Sequence, residues 1–194
     1  MTKHETKGVM IMRILTLLAP GFEEIEAVTV IDILRRAGFD VVTASVAEKV
    51  VTGSHRIPLI ADTMLDDVAM DGFTALYLPG GQPGTRNLAA DERVIGLIKT
   101  FHTQKRYIAA ICAAPTILLT ADILKKRRIT SYPSERDKFD PGFYRDEEVV
   151  RDGHIITGRG VGTALPFALK LVELWSGKES AEKLAGKIVF KTGV

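Results

Sequence analysis

The chain of 194 residues carries 46% hydrophobic and 26% charged types, which suits one well-filled globular core and excludes a disordered or low-complexity chain. Lys and Arg exceed Asp and Glu by only 26 to 24, so no concentrated basic footprint calls for specific nucleic-acid binding or an anionic membrane surface. The single cysteine, Cys112, excludes an internal disulfide framework and a thiolate metal cluster.

Residues 1–9 read as a charged, flexible tail rather than a secretory signal, because Arg13 interrupts the apolar stretch behind them. Residues 10–194 read as one domain without repeat or linker. The longest low-polarity run, 107–121, contains Cys112, Pro115 and two threonines and stops short of a membrane span. The expected compartment is a reducing cytoplasm.

The apolar run 11–19 has the character of a parallel strand covered on both faces, ended by Pro20-Gly21. From Glu23 the period changes to Ala27, Ile31 and Leu34, with Glu23 and Glu24 in the first turn and Arg35-Arg36 in the last, as a helix dipole favours. A second strand follows over 39–46. Residues 50–60 suit a short hairpin or edge strands around Gly53, and 62–68 a short helix or turn. A third strand, 75–78, ends in Pro79-Gly80-Gly81, and Pro83-Gly84 with Asn87 reads as a loop. A helix over 91–105 points Val94, Leu97, Ile98 and Phe101 inward, and the strand 107–111 runs through Cys112 into a helix over 113–120. The run Lys125-Lys126-Arg127-Arg128 reads as a solvated turn. Beyond a polar stretch, Asp152-Gly153 makes a hairpin turn, and Gly158, Gly160 and Gly162 lead into a helix carrying Leu165, Leu169 and Val172. A last short helix covers 180–184. These alternating elements predict a single α/β sandwich with helices on both faces of the sheet.

Cys112 lies where a buried strand gives way to a helix, among Ala110, Ala113 and Ala114. Small neighbours permit a sharp nucleophile elbow, and helix N–H groups would lower the thiol pKa. An inert core thiol fits the same position. Glu26 follows the first strand among apolar neighbours, so its carboxyl is a candidate to remain protonated and donate to a thiolate. Gly80 and Gly81 permit close backbone approach and aim N–H groups at an anion, although a plain tight turn has the same letters.

The segments Ala19-Pro20-Gly21-Phe22-Glu23-Glu24-Ile25-Glu26, Leu78-Pro79-Gly80-Gly81, Ala109-Ala110-Ile111-Cys112-Ala113-Ala114-Pro115 and Gly160-Val161-Gly162-Thr163 together resemble the DJ-1/PfpI superfamily, in its DJ-1/YajL (ThiJ-like) branch. The resemblance covers about residues 10–192 and implies a flavodoxin-like sandwich with a mostly parallel sheet, usually as a homodimer. It also implies Cys112 as the functional cysteine, Glu26 as its acid partner, and backbone donors at Gly81 and Ala113. Less directly, it implies Arg56 as the arginine that reaches toward a partner's site, with Gly80, Tyr132 and Pro133 around the pocket.

The activity implied is a cysteine-dependent, glutathione-independent glyoxalase or deglycase acting on methylglyoxal, glyoxal or their adducts with amines and thiols, with no cofactor and no metal. The alternatives are an oxidative-stress redox sensor that oxidises Cys112 and a chaperone-like protective protein. Two departures bear on this. Tyr132 stands before Pro133 where DJ-1 itself has a histidine, and a phenol with a pKa near ~10 is a poor base at neutral pH. Ala113 follows Cys112 where the protease-like branch has a histidine, which argues against a peptidase. Of the four histidines, His4, His102 and His154 read as structural or solvated, and His55 beside Arg56 is the one to follow. Gly158-x-Gly160-x-Gly162 comes too late to be a dinucleotide fingerprint, and the scattered histidines do not suggest a zinc site.

Overall fold

The computed structural model describes residues 12–191; the tail assigned to residues 1–9 lies outside them. Strand β1 (Arg13–Leu18) is followed by α1 (Glu24–Arg36), β2 (Asp40–Ser45), the hairpin β3 (Val50–Thr52) and β4 (Pro58–Ile60), then β5 (Thr63–Met64) and a 3-10 turn at Leu65–Asp67. Next come β6 (Ala75–Leu78), α2 (Gly84–Ala90), α3 (Glu92–Thr103), β7 (Tyr107–Ile111), α4 (Pro115–Thr120) and a 3-10 segment at Pro133–Lys138. The antiparallel pair β8 (Val149–Asp152) and β9 (Ile155–Gly158) leads through a 3-10 turn at Val161–Thr163 into α5 (Ala164–Ser176) and α6 (Lys178–Lys187).

The main sheet runs β5-β2-β1-β6-β7-β9-β8, parallel throughout except for β8 at the edge. This is the flavodoxin-type order, whose chain reverses direction between β1 and β6 and leaves a crevice at the carboxyl ends of those strands. Alternation along each strand divides the core in two. Ile14, Tyr77, Ala109, Ile111 and Ile156 face α1, α5 and α6. Leu15, Leu76, Leu78, Ile108 and Ala110 face the opposite layer with Val94, Ile98 and Phe101 of α3. Leu97, expected inward, is only half-buried.

The expected loop at Pro83-Gly84 is instead the start of α2. The reason lies elsewhere in the chain: a Cβ on Gly84 would come within 2.6 Å of Phe22 N and 2.7 Å of Gly21 C. Only a glycine lets this helix begin against the β1–α1 turn, and Gly84 N donates to Gly21 O at 3.0 Å there. Local sequence reads Pro-Gly as punctuation, and the tertiary contact makes it a helix start.

Two histidines distant in sequence meet at the opposite end of the sheet from Cys112. His102 Nδ1, late in α3, lies 3.0 Å from His154 Nε2, just before β9, and the rings are 4.9 Å apart. Burial and the charge of Arg127 lower the pKa of His102. Burial, His102, Arg127 and Lys105 lower that of His154, against a small opposing pull from Asp152. Both groups therefore protonate more readily in the unfolded chain, so their contribution is intact above an unfolded pKa of about 6.5 and is lost as pH falls below it. Thermal unfolding between pH 7.5 and 5 is expected to lose stability more steeply in the native chain than in a His102→Gln/His154→Leu variant. Parallel pH profiles would contradict this pairing.

Candidate functional site

Cys112 immediately follows β7 with φ 63°, the only residue of that strand–helix junction in the left-handed region. For a residue with a Cβ this conformation costs about 1–2 kcal/mol. Two cross-connections hold it: Cys112 N donates to Gly158 O at 2.9 Å, and Tyr132 N donates to Cys112 O at 2.8 Å. The side chain remains 9% exposed. The elbow foreseen from the small residues is therefore present, and its strain is concentrated at the sulfur-bearing residue.

Glu26 approaches from α1 and is fully buried. Its Oε2 accepts from Gly80 N at 2.9 Å, and its backbone O accepts from the Tyr77 hydroxyl at 3.0 Å. Among the described residues Oε1 has no hydrogen-bond partner of ordinary geometry. Gly80 is the contact point between the two groups, since a Cβ there would lie 2.6 Å from Glu26 Oε2 and 2.7 Å from Cys112 Cβ. Gly81 adopts φ 91°, and a Cβ on it would collide with Glu23 N at 2.3 Å. Both glycines are thus required by close approach as well as by the turn.

The electrostatics differ from the expected low-pKa thiol. Burial and the adjacent carboxyl of Glu26 push Cys112 well above an ordinary thiol, while the N–H groups of Ala113 and Gly81 pull the other way. The helix foreseen at 113–120 starts only at Pro115 and runs six residues, so its dipole adds little, and desolvation wins. Burial raises Glu26 to about 7, with Cys112 and Gly80 lowering it and Glu23 raising it. Glu26 gives up its proton near neutrality and Cys112 only far above it, so negative charge on the pair sits first on the carboxylate. A proton that leaves the sulfur has Glu26 as its nearest acceptor, and the resulting thiolate keeps the two N–H donors.

Three glutamates in the first turn of α1 have three different environments. Glu23 caps the helix, its Oε2 accepting from Glu26 N at 2.7 Å, and its own N donates to Gly80 O at 2.9 Å. Glu24 accepts from His55 N at 2.6 Å, His55 Nδ1 at 2.9 Å and Ser54 Oγ at 3.2 Å. Burial opposes its ionisation, but these hydrogen bonds prevail and hold it at about 2. Glu24 in turn raises the pKa of His55. A hollow of about 310 Å³ opens here, lined by Glu23, Glu24, Ile25, His55, Ile57 and Val161. A somewhat larger one, about 380 Å³ beneath Leu119, Phe139 and Phe143, lies away from the thiol.

This chemistry coincides with clear relatedness. The DJ-1/PfpI family model matches residues 12–174. Protein dj-1beta of Drosophila melanogaster is 39% identical over 174 residues, which cover 88% of this chain and 93% of that protein. The glutathione-independent glyoxalase DJR-1.2 of Caenorhabditis elegans is 37% identical over 173 residues, 88% of this chain and 92% of the relative. Oxidised Toxoplasma gondii DJ-1 superposes with a TM-score of 0.90 at 34% identity, over 93% of this chain and 100% of that one.

The chain belongs to the DJ-1/PfpI family.

Within this DJ-1/PfpI fold the remaining candidate residues divide. Gly80, Gly81 and Ala113 gather around Cys112 and Glu26. Tyr132 is tied to Cys112 through its backbone, and its ring, 47% exposed, sits beside Gly160. Pro133 is exposed and opens a 3-10 segment. Arg56 is exposed at φ 68° and is not drawn to this chain's own Cys112; its neighbour His55 is the residue anchored on Glu24. Sequence separation of 31 residues hid that pairing, although His55 is the histidine singled out from the sequence; the Gly53 turn leaves no room for a Cβ beside Glu24 Oε1 at 2.3 Å. Gly80→Ala is expected to cost about 1–3 kcal/mol in urea unfolding through overpacking. Gly96→Ala, on an α3 face with nothing within 4 Å of the added Cβ, is expected to be neutral or to stabilise by up to about 1 kcal/mol. Equal effects would contradict the close approach at Gly80.

Proposed function

We propose that this protein is a glutathione-independent glyoxalase or deglycase of the DJ-1/YajL branch, with Cys112 as nucleophile, acting on methylglyoxal, glyoxal or their early amine and thiol adducts. The observation that carries the reading is the strained, 9% exposed Cys112 in contact across Gly80 with a buried carboxyl that holds a proton readily. The thiol proton passes to Glu26 as sulfur adds to the aldehyde carbon, giving a hemithioacetal. The N–H groups of Gly81 and Ala113 are the donors placed for the developing negative charge. Glu26 then moves a proton between the two former carbonyl centres. Water cleaves the resulting thioester, releasing a 2-hydroxy acid and restoring the thiol; with a glycated substrate the unmodified amine or thiol is released as well. The relation to a named glyoxalase of C. elegans supports this choice. Ala113 after the nucleophile argues against peptidase chemistry.

The same site supports a second reading, a redox sensor. A protonated Glu26 beside two backbone donors would stabilise a sulfinate on Cys112, and the related Toxoplasma gondii DJ-1 is known in an oxidised form.

We further propose a homodimer in the cytoplasm. Ile25 (54% exposed) and Val28 on α1 and Ile57 and Ile60 (70% exposed) of the hairpin offer exposed apolar side chains beside the site, the kind of surface that association covers. Among the described residues no helix is long and apolar enough to cross a membrane. In this arrangement Arg56 serves the partner's pocket, and Tyr132 and Pro133 border the chain's own.

Methylglyoxal consumption with lactate detection, without added cofactor, tests the enzymatic reading. Activity is expected to vanish in Cys112→Ala and to fall about 10²–10⁴-fold in Glu26→Gln, the usual range for loss of a positioned acid–base group. No turnover above Cys112→Ala would overturn it, and sulfinate formed by mild peroxide would then favour the sensor.

A further inference from the structure

The chemistry at Cys112 leaves unused the basic run Lys125-Lys126-Arg127-Arg128 and the cavity of about 380 Å³ beside it. The wall of this cavity is apolar. Leu119 comes from the end of α4, Leu124 and Ile129 from the turn that follows, and Phe139 and Phe143 from the loop before β8. We propose that the cavity is a binding site for one small amphipathic monocarboxylate, its apolar tail among these five side chains and its carboxylate on Lys126.

Both walls are pinned, which holds the cavity open. Ile129 N donates to Phe143 O at 3.1 Å and Arg145 N donates to Ile129 O at 2.8 Å, clipping the loop onto the segment that leaves the turn. Within the loop, Gly142 N donates to Asp140 Oδ1 at 2.8 Å, and Phe143 N donates to Asp140 O at 3.0 Å. On the other side Asp152 accepts from Arg127 Nη1 and from Arg128 N, both at 3.0 Å. Asp122 and Lys126 take φ 57° and 56°, the left-handed region that a residue with a Cβ seldom occupies. These two reversals set the path of the basic turn between them. Leu119 is left 41% exposed, and Leu124 and Phe143 only half-buried. Water finds few partners on such a wall, whereas an apolar tail covers it.

Size and charge select the occupant. Sites for small molecules usually measure ~300–1,000 Å³, and this cavity falls near the lower end of that range. Three cations and two carboxylates line it. Asp122 accepts from Lys125 Nζ at 2.7 Å, Arg127 is paired with Asp152, and Asp140 is engaged within its own loop. Among the described residues Lys126 alone of the three cations forms no ion pair. One free ammonium matches a head group with one negative charge. Leu124 packs on the core layer of α3 and α4, across the sheet from α1, so association through α1 and the β3–β4 hairpin leaves the cavity open. None of its lining residues belongs to the Cys112–Glu26 site, and the assignment does not depend on the glyoxalase reading.

The test is isothermal titration of the full chain with octanoate, octanol and octylammonium, with circular dichroism to verify the fold of each variant. Octanoate is expected to bind at one equivalent, more tightly than the other two, with a negative heat-capacity change. Leu119→Asp, a change at an exposed side chain, is expected to weaken octanoate about 10-fold by setting a carboxylate against the ligand. Lys126→Gln is expected to remove a preference for octanoate over octanol of about 3-fold, the scale of an exposed ion pair. Lys99→Gln, an exposed lysine of α3 outside the cavity, should leave that preference intact. No saturable octanoate binding would overturn the proposal. So would unchanged affinity in folded Leu119→Asp, or an undiminished preference in Lys126→Gln. Binding to anionic phosphatidylglycerol vesicles without binding of free octanoate would also overturn it, and would assign the basic turn to a membrane surface.

Discussion

Gly80 has no room for a side chain, and much of the site follows from that. The sulfur-bearing residue after β7 and the carboxyl from α1 both press on this one backbone unit, at 2.7 and 2.6 Å from where a Cβ would stand. This meeting point lies at the crevice where the chain changes direction between β1 and β6. The sheet supplies Gly80 and Cys112 from adjacent parallel strands, registered Leu78 to Ala110. The helix is fixed over them by Tyr77, whose buried hydroxyl donates to Glu26 O.

A buried acidic turn would be unstable if its charges were left alone, and the fold treats each glutamate separately. Glu23 is consumed as a helix cap. Glu24 keeps its charge because the β3–β4 turn wraps it in donors. Glu26 has a single N–H and a thiol, too little to offset its desolvation, and so holds a proton near neutrality. The difference between Glu24 at about 2 and Glu26 at about 7 follows first from the deeper burial of Glu26 and then from the larger number of donors around Glu24, supplied by neighbours distant in sequence. It gives one permanent anion and one carboxyl that titrates near neutrality within the same helical turn.

Much of this architecture was readable in the letters. Strands 75–78 and 107–111 have the bounds foreseen for them, the first closed by Pro79-Gly80-Gly81 and the second by the small residues around Cys112. The N-terminal carboxylates and C-terminal arginines of α1 mark its limits closely. Cys112, Glu26 and Gly81 stood out through small neighbours, apolar neighbours and paired glycines. What failed depended on contacts between segments. The helix at Gly84 needs the Gly21–Phe22 turn beneath it, and the thiol's raised pKa needs its burial against Glu26, which local reasoning from a helix terminus could not weigh. Likewise, Arg56 entered only through the resemblance, while the residue anchored within this chain is its neighbour His55, the one histidine singled out from the sequence, held by a carboxylate 31 positions away.

The central claim is that substrate bonds covalently to Cys112. Rapid acid quenching of enzyme mixed with stoichiometric methylglyoxal, followed by peptide mass spectrometry, tests it directly because the chain has one cysteine. The account predicts a transient adduct of one substrate equivalent on the peptide containing Cys112, appearing before lactate and decaying as lactate forms. Lactate formation with no adduct on that peptide at any time, or with an adduct only on lysine or arginine, would contradict it.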